Sequence, residues 1–275
     1  MAFDRRLFLG GSGAIIGCAL SRAGIAEAEE ARSGRTAITR KEWDAIIQNG
    51  GQAPFTCIRT AQASEGPFYY ESSPQRRAIA ERHAGEPLRL GITLGGITTG
   101  TSCFPLAGAV IDIWQTDATG LYSNVGQDLQ PVDTRGQTFL RGHQVTDEKG
   151  YVEFDTIVPG WEIVAAAPPV NVASRTTHIH VKAFHGREVL TAQLYFPDPL
   201  IDQLYADLEP YKSHRMLTAP GLDRAYARIR NVDDIFFRDT GAQPMTVERV
   251  NGVFTAKATI GMVSQVSRWQ TTLFR

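Results

Sequence analysis

The stretch Arg175-Thr176-Thr177-His178-Ile179-His180-Val181 decides the fold class. β-Branched residues dominate it, and a strand puts residues i and i+2 on the same face. His178 and His180 therefore share one face, with Cα atoms roughly 7 Å apart, close enough for both imidazoles to reach one metal ion. Taken alone, the pair fits equally well two polar residues satisfied in a half-buried sheet, so the neighbouring segments have to decide.

Working outward, period-two alternation recurs over residues 88–94, 109–115, 151–157, 177–184, 189–196 and 253–260, punctuated by Gly, Pro and Asp. This pattern predicts an all-β fold, a two-sheet β-sandwich with short helical elaborations. Residues 141–147 read as a turn, as do Gly50-Gly51 and Gly95-Gly96. Between residues 199 and 239 the pattern loosens into a short helix at 200–208 and an Arg-rich surface excursion. Neither a strand-Gly-x-Gly-x-x-Gly-helix turn nor a Gly-x-Ser-x-Gly elbow is present, which leaves no sequence signal for a nucleotide site or a serine nucleophile.

The 275 residues suffice for one substantial core, and 43% hydrophobic content is ordinary for a globular chain. With a formal charge of -1 and a pI near 6.6, no basic field invites nucleic acid. At the N-terminus, Asp4-Arg5-Arg6-Leu7-Phe8-Leu9 precedes an apolar, Gly-rich run over residues 10–20 and then Ala26-Glu27-Ala28. This reads as a twin-arginine export signal cleaved near Ala28, and predicts a periplasmic or extracellular protein. The run is too short and Gly-rich for a transmembrane span. Ile15-Ile16-Gly17-Cys18 offers the alternative of a lipid anchor at Cys18. The expected organisation is thus a signal over 1–28, a linker over 29–56 with a short helix capped by Thr39, and a sandwich domain over 57–275.

Four further segments stand around the histidines in a fixed order. They are Glu65-Gly66-Pro67-Phe68-Tyr69-Tyr70, Gly120-Leu121-Tyr122-Ser123, Pro159-Gly160-Trp161-Glu162 and Thr191-Ala192-Gln193-Leu194-Tyr195. Over roughly residues 57–200 the chain resembles the intradiol ring-cleavage dioxygenases, ferric enzymes that split catechols between their two hydroxyls. The resemblance implies non-haem Fe(III), with a small aromatic diol and O2 as substrates. It matches Tyr122 to the tyrosinate that stays on the metal, His178 and His180 to the two histidine ligands, and Arg175 to the arginine that meets negative charge on the ring. Gln193 matches a glutamine lining the pocket, and Glu65 and Tyr69 fall in a motif lining the substrate approach. Exported members of the family carry cysteines near these motifs, which implies a Cys57–Cys103 disulfide; two separate buried thiols are the other reading.

One position departs from the family pattern Pro-Gly-x-Tyr. Glu162 stands where the second tyrosine ligand belongs, the one that acts as a base when catechol binds. A carboxylate is a hard oxygen donor suited to Fe(III) and can exchange between metal and proton. As a base it is much weaker, with an unperturbed pKa of about 4.3 against about 10. Fifteen residues separate Glu162 from His178, including the apolar insert Ala165-Ala166-Ala167-Pro168-Pro169-Val170, expected to lie over the metal mouth. The departure keeps two other classes open. One is a metal-bearing sandwich with diverged chemistry, using copper or zinc; the other is a non-enzymatic exported binding domain. Among the remaining histidines, His143 is the candidate for supporting a ligand.

Overall fold

A computed structural model describes residues 55–97, 102–165, 172–214 and 229–263. The expected export signal, the helix capped by Thr39, Gly50-Gly51 and nearly all of the linker lie outside these residues. So do positions 166–170 of the apolar insert. No helix among the described residues is long and apolar enough to cross a membrane.

Two sheets form a sandwich. In the first, the long strand β2 (Pro87–Ile97) runs parallel to β12 (Val253–Val263), which pairs in turn with β11 (Thr246–Val250). The other edge of β2 is divided between β6 (Tyr151–Ile157) along its first half and β3 (Ser102–Pro105) at its end, with β1 (Phe55–Thr56) beyond β3. The sheet thus begins two residues before the expected domain boundary. The second sheet has the order β10 (Glu188–Tyr195), β9 (His178–His185), β4 (Val110–Trp114), β5 (Arg141–Val145), antiparallel throughout. A separate hairpin joins β7 (Ile163–Ala165) to β8 (Val172–Ser174) and flanks the insert.

The core lies where the alternating apolar residues of the two sheets meet. Leu88, Leu90, Ile92 and Leu94 of β2 and Val152 and Phe154 of β6 pack in one cluster with Ile111, Ile113, Ile179, Val181 and Ala183 of the second sheet. Each such side chain contributes about 1.5–3 kcal/mol by leaving water. Because Ile179, Val181 and Ala183 point inward, strand geometry turns His178, His180 and Lys182 to the outer face. The pairing register fills that outer face from the neighbouring strands. Tyr195 and Gln193 sit opposite His178 and His180, Trp114 opposite His180, and Arg141 opposite Trp114.

Three expectations need correction. Residues 141–145 form strand β5, not a turn. The segment lacks a strand's appearance because its outward residues are polar and because a Cβ at Gly142 would lie 2.7 Å from Ile79, so only glycine admits the neighbouring segment. Gly95-Gly96 lies inside β2, where the ring of Phe104 occupies the space of a Gly96 side chain, at 2.5 Å from a Cβ. The helix expected at 200–208 is present as α1 (Asp198–Asp207), but the segment after it is more than a surface excursion. Residues 215–228 of that Arg-rich passage lie outside the described residues; the rest forms α2 (Tyr211–His214), a 3-10 turn (Asn231–Asp233) and α3 (Ile235–Thr240), and α1 with these elements buries Ile201, Leu204, Tyr205, Tyr211, Asn231 and Asp234.

Cys57 and Cys103 are bonded, with Cα atoms 5.9 Å apart and 46 positions of chain between them. By loop entropy the bridge adds at most about 4 kcal/mol. Urea unfolding of the oxidised protein against a Cys57→Ala/Cys103→Ala variant is expected to show a lower midpoint for the variant. Coincident curves, or free thiols in the unfolded unreduced protein, would contradict the bridge.

Candidate metal centre

Four donor atoms converge on the outer face of the second sheet. His178 Nε2 lies 3.0 Å from His180 Nε2, which lies 3.2 Å from the Tyr122 hydroxyl, which donates at 2.5 Å to Glu162 Oε2. All four side chains are buried, Glu162 with only 5% of its surface exposed, so it faces the site and not solvent. Two donors 3.0 Å apart subtend about a right angle at an ion about 2.1 Å from each, an ordinary metal–nitrogen distance. Glu162, His178 and His180 offer ligand atoms within 4.8 Å of one another, and they form the one such His/Cys/Asp/Glu group among the described residues.

The imidazoles are held neutral, the form that can offer a lone pair. Burial, reinforced by the Arg175 charge, lowers the pKa of His178, and burial with His178 beside it takes His180 well below the ordinary histidine value. His178 Nδ1–H donates to the Thr176 carbonyl at 2.7 Å, which leaves Nε2 as the lone-pair atom pointing at the site. Trp114 stacks on His180 with ring centroids 4.7 Å apart and planes 5° from parallel, fixing that ring. His180 Nδ1 itself is buried without a partner. Burial and the Glu162 carboxylate push the Tyr122 hydroxyl well above 10, so without a cation it keeps its proton. A bound cation reverses that preference, because it stabilises the phenolate directly. Two imidazoles, a phenol and a carboxylate thus fit a hard or borderline ion such as Fe(III).

Tyr122 and Glu162 reach the site from irregular loops, and the sequence builds both carefully. Asp117 Oδ1 accepts from Thr119 and Leu121 to form the turn, and Gln130 and Thr134 bind the Tyr122 backbone. Gly160 packs so closely on this turn that a Cβ would lie 2.7 Å from the Ala118 carbonyl, which locks the Glu162 loop to the Tyr122 loop. From the other side, Tyr205 accepts from the Trp161 amide at 2.7 Å, while Tyr211 donates to the Val158 carbonyl at 2.7 Å. Arg141, 1% exposed, donates to the carbonyls of Phe68 and Ser123 and to the Ser123 hydroxyl. Burial lowers its pKa to about 10, still above neutrality, so the charge persists and is met entirely by oxygen atoms of the covering loops.

Arg175 and Gln193 come together as the sequence suggested, but Gln193 serves the arginine. Its Oε1 accepts from Arg175 NH2 at 2.7 Å and from the Tyr195 hydroxyl at 2.6 Å, and its Nε2 donates to the Ser64 carbonyl. The expected substrate-facing amide is therefore tied into the protein. Arg175 also donates to Asp234, and its NH1 faces Glu162 Oε1 at 3.9 Å. Of the approach residues, Tyr69 packs on Trp114 and Glu65 pairs with Lys182. His143 does not support a metal ligand: its Nδ1 contacts the Ser73 carbonyl. Asp234, Arg141, Tyr205 and Tyr211 carried no expectation, although Asp234 before Ile-Phe-Phe is a readable N-cap signal.

Comparison with known proteins identifies the family. The chain matches the Dioxygenase family over residues 64–226. It is 34% identical over 165 residues to a chlorocatechol 1,2-dioxygenase of Rhodococcus opacus, covering 55% of this chain and 58% of that protein. To a catechol 1,2-dioxygenase of Candida albicans it is 30% identical over 149 residues, covering 50% and 46%. The chain therefore spans only about half the length of these relatives. An intradiol ring-cleavage dioxygenase from Tetranychus urticae superposes with a TM-score of 0.59 at 24% identity, over 76% of this chain and 98% of that one, a likeness of fold.

Beside Trp114, Asp112 is buried with the Ser73 hydroxyl donating to it at 2.7 Å, and Tyr69 bonded to it. Burial raises its pKa to about 6, the largest cause, against the opposing hydrogen bond from Ser73. A folded-state value above the unfolded one means the native protein holds this proton longer, so stability falls as pH rises from about 4 to about 6. Asp112→Asn is expected to stabilise the protein at pH 7.5 by up to about 3 kcal/mol, with the advantage shrinking as pH falls through 6 and small by pH 4.5. Urea unfolding at both pH values checks this; an equal effect at both would contradict it.

Proposed function

Because the chain belongs to the intradiol ring-cleavage dioxygenase family, we propose that it holds a ferric ion through Tyr122, Glu162, His178 and His180 and cleaves a catechol-type ring between its two hydroxyls. The convergence of these four buried donors, with the Glu162 carboxylate in contact with the Tyr122 hydroxyl, carries the reading. The relatives named for catechol and chlorocatechol support the substrate class.

Ferric iron, when bound, supplies a Lewis acid that draws both substrate oxygens and makes their protons easier to lose. Glu162 would take one of those protons, replacing with a carboxylate the phenolate base that the family pattern calls for. Tyr122, once its proton has gone, stays as the fixed anionic oxygen on its braced turn. Arg175 directs NH1 into the same space and offsets negative charge that builds on the ring. Phe68 stacks on Tyr122 at 4.4 Å and Trp114 on His180, so aromatic surface keeps water from the donors on that side. We also read the protein as exported; the Cys57–Cys103 bridge supports an oxidising compartment.

The purified protein is expected to carry about one iron per chain, lost in His178→Ala and in His180→Ala. Its visible band arises from a single tyrosinate, so Tyr122→Phe removes nearly all of it, and Glu162→Tyr intensifies it. Glu162→Gln weakens iron retention by deleting an anionic ligand. Copper or zinc in place of iron, or no stoichiometric metal, overturns the ferric reading, and unchanged iron affinity and spectrum in both Glu162 variants removes Glu162 from the ligand set.

A further inference from the structure

Arg175 offers five N–H groups in a rigid planar fork, and what holds one edge decides where the other points. Nε donates to Asp234 Oδ2 at 2.6 Å, and NH2 donates to Asp234 Oδ1 at 3.0 Å and to Gln193 Oε1 at 2.7 Å. NH1 remains, and it faces Glu162. The flat face is fixed as well, since the guanidinium carbon lies 4.3 Å from the centroid of the Phe236 ring.

Asp234 stands 59 positions further along the chain than Arg175, on a different element. Its Oδ1 caps α3 through the amides of Phe236 and Phe237, and its Oδ2 also accepts the Thr176 amide at 3.1 Å. The carboxylate is 2% exposed, and the Arg175 bond and charge hold its pKa below the ordinary value against burial. Next to it, Asn231 joins Thr176 to the Phe196 carbonyl. Thr176 in turn orients His178. One carboxylate from the C-terminal segment thus fixes both the arginine and the residue after it.

We propose that Asp234 is a positioning residue for the ring-cleaving reaction: its bidentate hold on one edge of Arg175 delivers NH1 to the space shared with Glu162. The inference rests on the reading of Arg175 given above, as the cation that meets charge building on the ring. A bland alternative exists, in which Asp234 is only a helix cap. Asn caps helices as well as Asp does, so Asp234→Asn keeps the cap and removes the anionic grip.

The test uses the full-length iron-loaded protein with catechol as the probe. Asp234→Asn is expected to melt at a lower temperature, because it breaks a buried ion pair, but below that temperature to retain its iron and its visible band while kcat falls about tenfold or more, with KM moving much less. In an Arg175→Gln background the same substitution is expected to add less than a twofold loss, because a residue acting through Arg175 has nothing left to position. A kcat within twofold of wild type, or an equal further loss in the Arg175→Gln background, overturns the proposal. Should the wild-type protein not turn over catechol, the activity reading fails by itself. Crystal structures of wild type and Asp234→Asn then decide the positioning role: NH1 turned away from Glu162 in the variant upholds it, and an unmoved guanidinium overturns it.

Discussion

Strand β9 has to satisfy two faces at once, and the rest of the structure follows from that demand. Ile179, Val181 and Ala183 anchor it in the core between the sheets, while His178, His180 and Lys182 face outward. A one-residue slip would bury the imidazoles among aliphatic side chains and expose the aliphatics, so the register is strongly fixed. With the histidines set, their cross-strand partners are set too, and Gln193, Tyr195, Trp114 and Arg141 arrive on the same surface without any loop having to aim them.

Much of what covers this outer surface among the described residues is loop. Buried loops must satisfy their own backbone polar groups. That need accounts for the density of buried polar side chains around the site. Arg141 ties two covering loops to β5, Gln130 and Thr134 bind the Tyr122 turn, and Tyr205 and Tyr211 brace the loop that carries Glu162. Asp234 and Asn231 do the same for the segment entering β9. Rigid support is what a metal ligand set needs, because displacements of a fraction of an ångström change which ion and which substrate it accepts.

Glu162 gives this centre its own character. Tyr122 donates to it at 2.5 Å, so the phenol and the carboxylate face one another at the centre of the candidate site. The charge balance of the pocket is adapted to it, since Arg175 faces the carboxylate and is itself neutralised by Asp234.

Period-two runs foretold the strands that fill the core, and the segments carrying Tyr122, Glu162, Arg175, His178, His180 and Gln193 were legible in the sequence as candidates that the fold brings close together. What escaped had physical reasons. Strand β5 is disguised by Gly142, required for close packing, and by Arg141 and His143, whose polarity serves the covering loops. Asp234 and the two bracing tyrosines act across 44 to 59 positions of chain, a distance at which no local pattern speaks. The engagement of Gln193 with Arg175 and Tyr195 is visible only in the three-dimensional hydrogen-bond pattern. The account as a whole is tested most directly by giving the purified iron-loaded protein catechol under 18O2 and weighing the product. It predicts a ring-opened muconate-type diacid carrying both atoms of the labelled oxygen; recovery of intact catechol, or a product cleaved outside the two hydroxyls, would contradict it.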